Sequence, residues 1–242
     1  MSLSRQDLIR ERATVLDAAA RDPVLQAALK KRCELDVVYF IDNFVWTFDP
    51  RKEPSDLPFK LYPFQESAAR EILSAIETGE DILIEKSRDM GLSWLVCAIF
   101  VWIFVFRKGY NTLIGSRKED LVDELGNLST LFEKLRFTLR WLPFWLKPEG
   151  YIEKRHASFL KLLNPENGNS ITGESSNPNF GRGGRYKAVL LDEFAFWPCD
   201  DAVWASLAQS TPCRIALSTP YGRANKYARL AQDERYERVL IK

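Results

Sequence analysis

Ala188-Val189-Leu190-Leu191-Asp192-Glu193 is four apolar residues closed by two adjacent carboxylates. Read as a buried strand, it delivers two charges that are costly in an interior unless they find partners. Upstream lies a second signature, Lys86-Ser87-Arg88-Asp89-Met90-Gly91-Leu92-Ser93. Nucleotide hydrolases supply the missing partners: the first acid holds Mg²⁺ and the second orients the attacking water. The expected substrate is ATP.

The segment 86–93 departs from the usual GxxxxGK[ST] phosphate loop. With Gly91 and Ser93 aligned on the final Gly and Ser, Leu92 stands where the lysine belongs and Lys86 takes the first glycine position. The physical need is unchanged. Backbone N–H groups at a helix N-terminus cradle phosphate, and a cation neutralises its oxygens. Lys86 is the expected cation and Arg88 the second candidate. Residues 86–93 (Lys86, Ser87, Arg88, Asp89, Met90, Gly91, Leu92, Ser93) form the expected ATP site, with the Ser93 hydroxyl and Asp192 on Mg²⁺ and Glu193 as catalytic base.

Outward from these signatures the chain alternates as an α/β protein with a mainly parallel sheet flanked by helices. Residues 65–77 read as helix, 81–85 as strand, 93–106 as a buried helix and 112–115 as strand. Residues 118–139 read as one long helix or two, broken near Gly126-Asn127. Residues 158–163 and 170–172 read as paired strands, 187–191 as strand, 201–209 as helix and 213–217 as strand. A last strand at 236–241 is expected at or near an edge. Ahead of this core, residues 5–32 carry helical periodicity with a break at Asp22-Pro23, and 49–58 is a Pro- and charge-rich connector. The expected division is an N-terminal helical segment, 1–48, and a core, 59–242.

The chain has 242 residues, 46% of them hydrophobic and 12% aromatic, enough for a sizeable core. Its 34 basic and 33 acidic side chains leave a net charge of +1, so a strongly basic nucleic-acid footprint is absent. Four scattered cysteines and a single histidine make a zinc site a poor reading. The apolar run 95–106 is too short for a membrane span and is read as a core helix.

Further segments fall near the expected crevice. Ser218-Thr219-Pro220 ends an apolar strand, and ligands of open α/β sheets collect at the carboxyl ends of strands. Gln65, in Leu61-Tyr62-Pro63-Phe64-Gln65, carries the donor and acceptor needed to read an adenine edge. In Gly181-Arg182-Gly183-Gly184-Arg185, Arg182 (with Arg185 as alternative) is the candidate for a cation supplied to a neighbouring subunit. His156 is read as filler, and the Trp and Phe cluster at 141–145 as packing.

With these pieces in order, the chain resembles the ATPase domain of the large terminase subunit of tailed bacteriophages. The likeness runs over most of residues 37–220, through Tyr39-Phe40-Ile41-Asp42-Asn43-Phe44, Tyr62-Pro63-Phe64-Gln65, the displaced-lysine loop, Gly181-Arg182-Gly183, Leu190–Glu193 and Ser218-Thr219-Pro220. It implies an additional-strand, RecA-like P-loop fold and an ATP- and Mg²⁺-dependent motor that packages double-stranded DNA into a procapsid. It also implies Ser218, Thr219 and Pro220 as a coupling motif and a loop arginine acting in trans. The implied partners are the portal protein, a small terminase subunit and further copies in a ring, with no membrane, in the host cytoplasm and outside the mature virion. The family's second, nuclease domain is not expected, since 22 residues follow Pro220. The rival readings are a helicase-like DNA-stimulated ATPase and a nucleotide-binding module without turnover.

Overall fold

The computed structural model describes residues 4–234 and 236–241. Helices α1 (Arg5–Ala19) and α2 (Pro23–Leu35) part at Asp22-Pro23, as expected. There the Asp22 carboxylate accepts from the amides of Val24 and Leu25, and Pro23 opens the new helix, where its missing N–H costs nothing. Helix α3 (Val37–Phe44) leads into β1 (Trp46–Phe48) and β2 (Asp56–Pro58), which pair antiparallel. The stretch read as a connector is thus the turn and second arm of a small hairpin.

The core follows as α4 (Pro63–Thr78), β3 (Ile82–Lys86), α5 (Leu92–Phe106), β4 (Thr112–Ser116), α6 (Glu119–Val122), α7 (Leu131–Trp141) and α8 (Glu153–His156). It continues with β5 (Ala157–Ser158), β6 (Lys161–Leu163), β7 (Ser170–Ser175), β8 (Ala188–Asp192) and a 3₁₀ turn, Phe194–Phe196. The last elements are α9 (Asp200–Leu207), β9 (Arg214–Ser218), α10 (Lys226–Leu230) and β10 (Glu237–Ile241).

Eight strands form one sheet in the order β10-β3-β9-β8-β4-β7-β6-β5. Neighbours from β10 to β7 are parallel, while β6 and β5 are antiparallel. Strand β9 lies between β3 and β8, the additional-strand arrangement, and β10 is an edge strand.

The strands alternate strictly between two apolar layers. Ile82, Ile84, Ile114, Ala188, Leu190, Ile215 and Leu217 pack on α3, α4, α5 and α7. Leu83, Leu113, Val189, Leu191 and Ala216 pack on the 3₁₀ turn, α9 and α10. Both faces are covered, which is why these strands read as unbroken apolar runs in the sequence. Helix α3 belongs to the same layer as α4 and α5, and the indole N–H of Trp102 in α5 donates to the Cys33 carbonyl at 2.6 Å. Among the described residues no helix is long and apolar enough to cross a membrane.

One expectation needs correction and one open alternative closes. Residues 158–163 are not one strand: Leu160 turns the chain at φ 54°, and β5 and β6 are separate arms of a hairpin. Residues 118–139, read as one long helix or two broken near Gly126-Asn127, are two: the single turn of α6 and, after a gap over 123–130, α7. Asp123 ends the first piece because its carboxylate is drawn into the interior, where it accepts two hydrogen bonds from Arg136, both 2.7 Å. Helices α8 and α10 carry too short a periodic pattern to be read from sequence.

Candidate nucleotide site

The two signatures meet because of strand parity. Positions 82, 84 and 86 of β3 share one face, as do 188, 190 and 192 of β8. Both final side chains therefore emerge on the α5 side, where α5 begins. A one-residue slip of either strand would send its charge to the other face. The Lys86 ammonium lies 3.5 Å from the Ser93 hydroxyl, which in turn lies 3.2 and 3.3 Å from the two Asp192 carboxylate oxygens.

The loop between Lys86 and α5 leaves its amides open. Gly91 is the N-cap residue at φ 70°, and no side chain caps the helix, so the first-turn N–H groups face the cavity. This is the anion-receiving end of a long, buried helix. A Cβ at Gly91 would come within 3.0 Å of the Gln65 amide nitrogen, besides carrying the strain of positive φ. Leu92, at the usual lysine position, is buried in the apolar layer. Ser87, Arg88 and Asp89 are exposed, and Asp89 pairs with Arg51 of the β1–β2 turn at 3.6 Å.

Two adjoining cavities share Lys86, Asp89 and Glu193. The smaller, about 340 Å³, is also lined by Arg88, Arg117, Phe196 and Thr219. The larger, about 800 Å³, takes in Tyr62, Phe64, Gln65, Met90, Gly91, Ser93, Lys134 and Asp192. Gln65 is buried and its carboxamide has work inside the chain. It donates to the Met90 carbonyl at 3.0 Å and accepts from the Tyr62 amide at 3.0 Å, holding the loop against α4.

The acid pair divides into a buried and an accessible member. Burial pushes the Asp192 carboxyl above the ordinary carboxylate range, and Lys86 and Lys134 pull it back down. The indole N–H of Trp197 donates to the Asp192 carbonyl at 2.9 Å and fixes the strand end. Glu193 sits at φ 54°, a left-handed conformation that costs a non-glycine residue roughly 1–3 kcal/mol. The turn swings its side chain off the strand axis to Arg117, whose Nε donates to it at 3.2 Å.

Ser93 and Asp192 present hard oxygen donors side by side. Among the described residues no group of three His, Cys, Asp or Glu side chains gathers anywhere. That set suits Mg²⁺, which keeps several waters and phosphate oxygens and needs one or two carboxylates.

Ser218 lies on the opposite face of the sheet. Its hydroxyl accepts from the Ala195 amide at 3.1 Å, just past the acid pair, and donates to the Thr219 carbonyl at 2.9 Å. Phe196 stacks on Tyr221, which follows Pro220, with ring centroids 4.5 Å apart. The loops after β8 and β9 are thus tied twice. Ser218→Ala is expected to leave the buried Ala195 N–H without a partner and to cost about 1–3 kcal/mol. Chemical denaturation checks this.

Arg182 and Arg185 line neither cavity. Arg182 is exposed between Gly181 and Gly183, both at positive φ, while Arg185 donates to the carbonyls of Gly184 and Gln209, both at 3.3 Å. His156 accepts from the Ile152 amide at 3.0 Å and stacks on Tyr151. Trp141 stacks on Trp46 at 4.7 Å and Trp145 packs edge-on against Phe44.

Arg117 and Lys134 are cavity cations that the sequence signatures did not include. Arg117 follows β4 directly, so the rule that sites gather at carboxyl ends of strands was signal enough to find it. Lys134 sits on α7 and had no local signal. Burial lowers its ammonium below the ordinary lysine value, and Asp192 pushes in the opposite direction.

No curated protein sequence matches this chain. Among solved structures, the HK97 bacteriophage large terminase superposes with TM-score 0.58 at 16% identity, covering 86% of this chain and 43% of its own. The Thermus phage P74-26 large terminase ATPase domain, in a single-site mutant form, gives TM-score 0.52 at 17% identity, covering 75% and 81%. At these identities the likeness is one of fold, and the chain spans less than half of the HK97 protein. The family model "Terminase large subunit, T4likevirus-type, N-terminal" matches residues 83–237, from β3 into β10 and well over half of the sequence. The chain belongs to that terminase large subunit family.

Proposed function

We propose that this chain is an ATP-hydrolysing motor module that, assembled as a ring on a portal, drives double-stranded DNA into a procapsid. The observation that carries the proposal is the convergence of Lys86, Ser93 and Asp192 on an uncapped helix N-terminus, with Glu193 on the wall of the same cavity.

In this reading the amides of the loop and of the first turn of α5 bind the phosphates, with Lys86 as their cation. Ser93 and Asp192 would hold Mg²⁺, which would supply charge neutralisation to the phosphates. Glu193 orients and deprotonates the attacking water. It does so after leaving Arg117, whose Nε occupies a carboxylate oxygen at 3.2 Å. The Tyr62 and Phe64 rings, stacked at 5.7 Å on the cavity wall, offer a face for the base, with Gln65 beside them. Arg182, on its glycine-flanked loop outside the cavity, acts on the site of the neighbouring copy, with Arg185 as the alternative. Ser218, Thr219 and Pro220 carry the state of the site onward through the Ala195 amide and the Phe196–Tyr221 stack. Recruitment by a small terminase subunit and action in the host cytoplasm belong to the same reading, which family membership supports. The terminase family match favours the packaging reading over a helicase.

The decisive test is ATP turnover by the purified chain with and without double-stranded DNA, alongside calorimetric titration of a non-hydrolysable ATP analogue with Mg²⁺. Lys86→Ala is expected to weaken analogue binding tenfold to a hundredfold, the roughly 1.5–3 kcal/mol of a charge-assisted hydrogen bond. A wild-type chain that does not bind the analogue at millimolar concentration would refute the reading.

A further inference from the structure

Lys134 breaks two rules of stability at once. It is only 7% exposed, yet no acid lies within ion-pair distance of it among the described residues. Its ammonium donates instead to two neutral acceptors, the carbonyls of Ser129 and of Thr130, the latter at 3.2 Å. It also stands in the opening turns of α7, whose N-cap is Thr130, where the helix dipole repels a cation. A buried charge held this way costs several kcal/mol, and a Met or Leu of similar length would fill the space without that penalty.

The surroundings say what the charge faces. The Lys134 ammonium lies 5.8 Å from the ring centroid of Trp94, the residue after Ser93, and lines the same cavity as Gly91, Ser93 and Asp192. Asp192 and Glu193 share the walls of that cavity with Lys86, and two further cations there, Arg51 and Lys60, are paired with Asp49 and Asp42, which leaves the cavity short of positive charge for a polyphosphate. Local rules violated without structural compensation mark functional positions.

We propose that Lys134 is a second cation of the polyphosphate subsite, brought to the wall of the cavity it shares with Lys86 by the packing of α7 on α5. The proposal rests on the nucleotide reading of this cavity. It assigns Lys134 to binding the phosphate chain rather than to supporting the fold.

The test is Lys134→Met in the full chain, read in two ways. Calorimetric titration is carried out with the non-hydrolysable ATP analogue plus Mg²⁺ and, separately, with tripolyphosphate, and thermal unfolding is followed without nucleotide. Affinity for both probes is expected to fall about tenfold to a hundredfold, the effect of removing one charge-assisted hydrogen bond. The unfolding midpoint is expected to hold or rise, and Lys134→Arg to recover part of the affinity. Unchanged affinity, or a variant that fails to fold without nucleotide, would overturn the assignment and make Lys134 a structural residue. If the wild-type chain takes neither probe, the nucleotide reading itself falls. Normal wild-type binding with an indifferent Lys134→Met sinks only this inference.

Discussion

Glu193→Gln is expected to lower ATP turnover by a factor of about 10²–10⁴, the usual contribution of a positioned general base, while leaving nucleotide binding nearly intact. The carboxamide fills the same space and keeps the chain's path, but it takes no proton from water. Glu193 is not among the groups that hold the loop, and its pairing with Arg117 is between half-exposed partners, worth at most about 1 kcal/mol. Stability should therefore hardly move. Single-turnover measurement with excess protein separates the two effects: the analogue binds, and bound ATP persists uncleaved. A variant with full turnover would remove Glu193 from the chemistry. Glu193→Gly sharpens the comparison, since a glycine relieves the positive φ, at some entropic cost, while abolishing the base. Fold and activity should then part company at one residue, as they do where strain is retained for function.

Arg136→Met is expected to be the most damaging substitution for the fold, at about 3–5 kcal/mol. Arg136 is buried on α7 and grips both oxygens of Asp123 at 2.7 Å. It also reaches Glu133 at 3.3 Å and the Ser158 carbonyl at 3.2 Å. Asp123 in turn accepts from the Leu160 amide at 2.7 Å, and Arg140 bridges Glu133 to Glu153. The network fastens α7 to the β5–β6 hairpin, and removing its central cation leaves the buried Asp123 carboxylate without its counter-ion, while Glu133 keeps Arg140. Urea denaturation should show the loss. Removing the exposed Lys31–Glu34 pair should shift stability by no more than about 0.5 kcal/mol. Equal effects from the two would contradict the desolvation argument. The same network positions α7, and through it Lys134, so an intermediate variant such as Arg136→Lys should also weaken nucleotide binding.

Much of this could be read before any coordinates. Unbroken apolar runs at 82–84, 113–114 and 188–191 state that both faces of a parallel sheet are covered, because such strands have no solvent side. Charged or hydroxyl residues at the ends of those runs (Lys86, Asp192, Ser218) state where the site lies, because parallel strands bring their carboxyl ends to one edge. The long apolar stretch after Gly91 gave the buried helix on which the phosphate loop rests. Fold class, sheet edge and the candidate site residues were thus legible in local patterns of period two and 3.6. The tertiary structure alone decided the pairings between distant segments. Examples are the parity that puts Lys86 and Asp192 on one face and Ser218 on the other, and the carboxamide of Gln65 occupied by Met90 and Tyr62. Others are Arg117 held against Glu193, the division of residues 118–139 by a buried Asp123, and Lys134 lodged beside Trp94. These pairings join residues far apart in the chain, and the burial and charge that give them meaning exist only once the layers have closed around them.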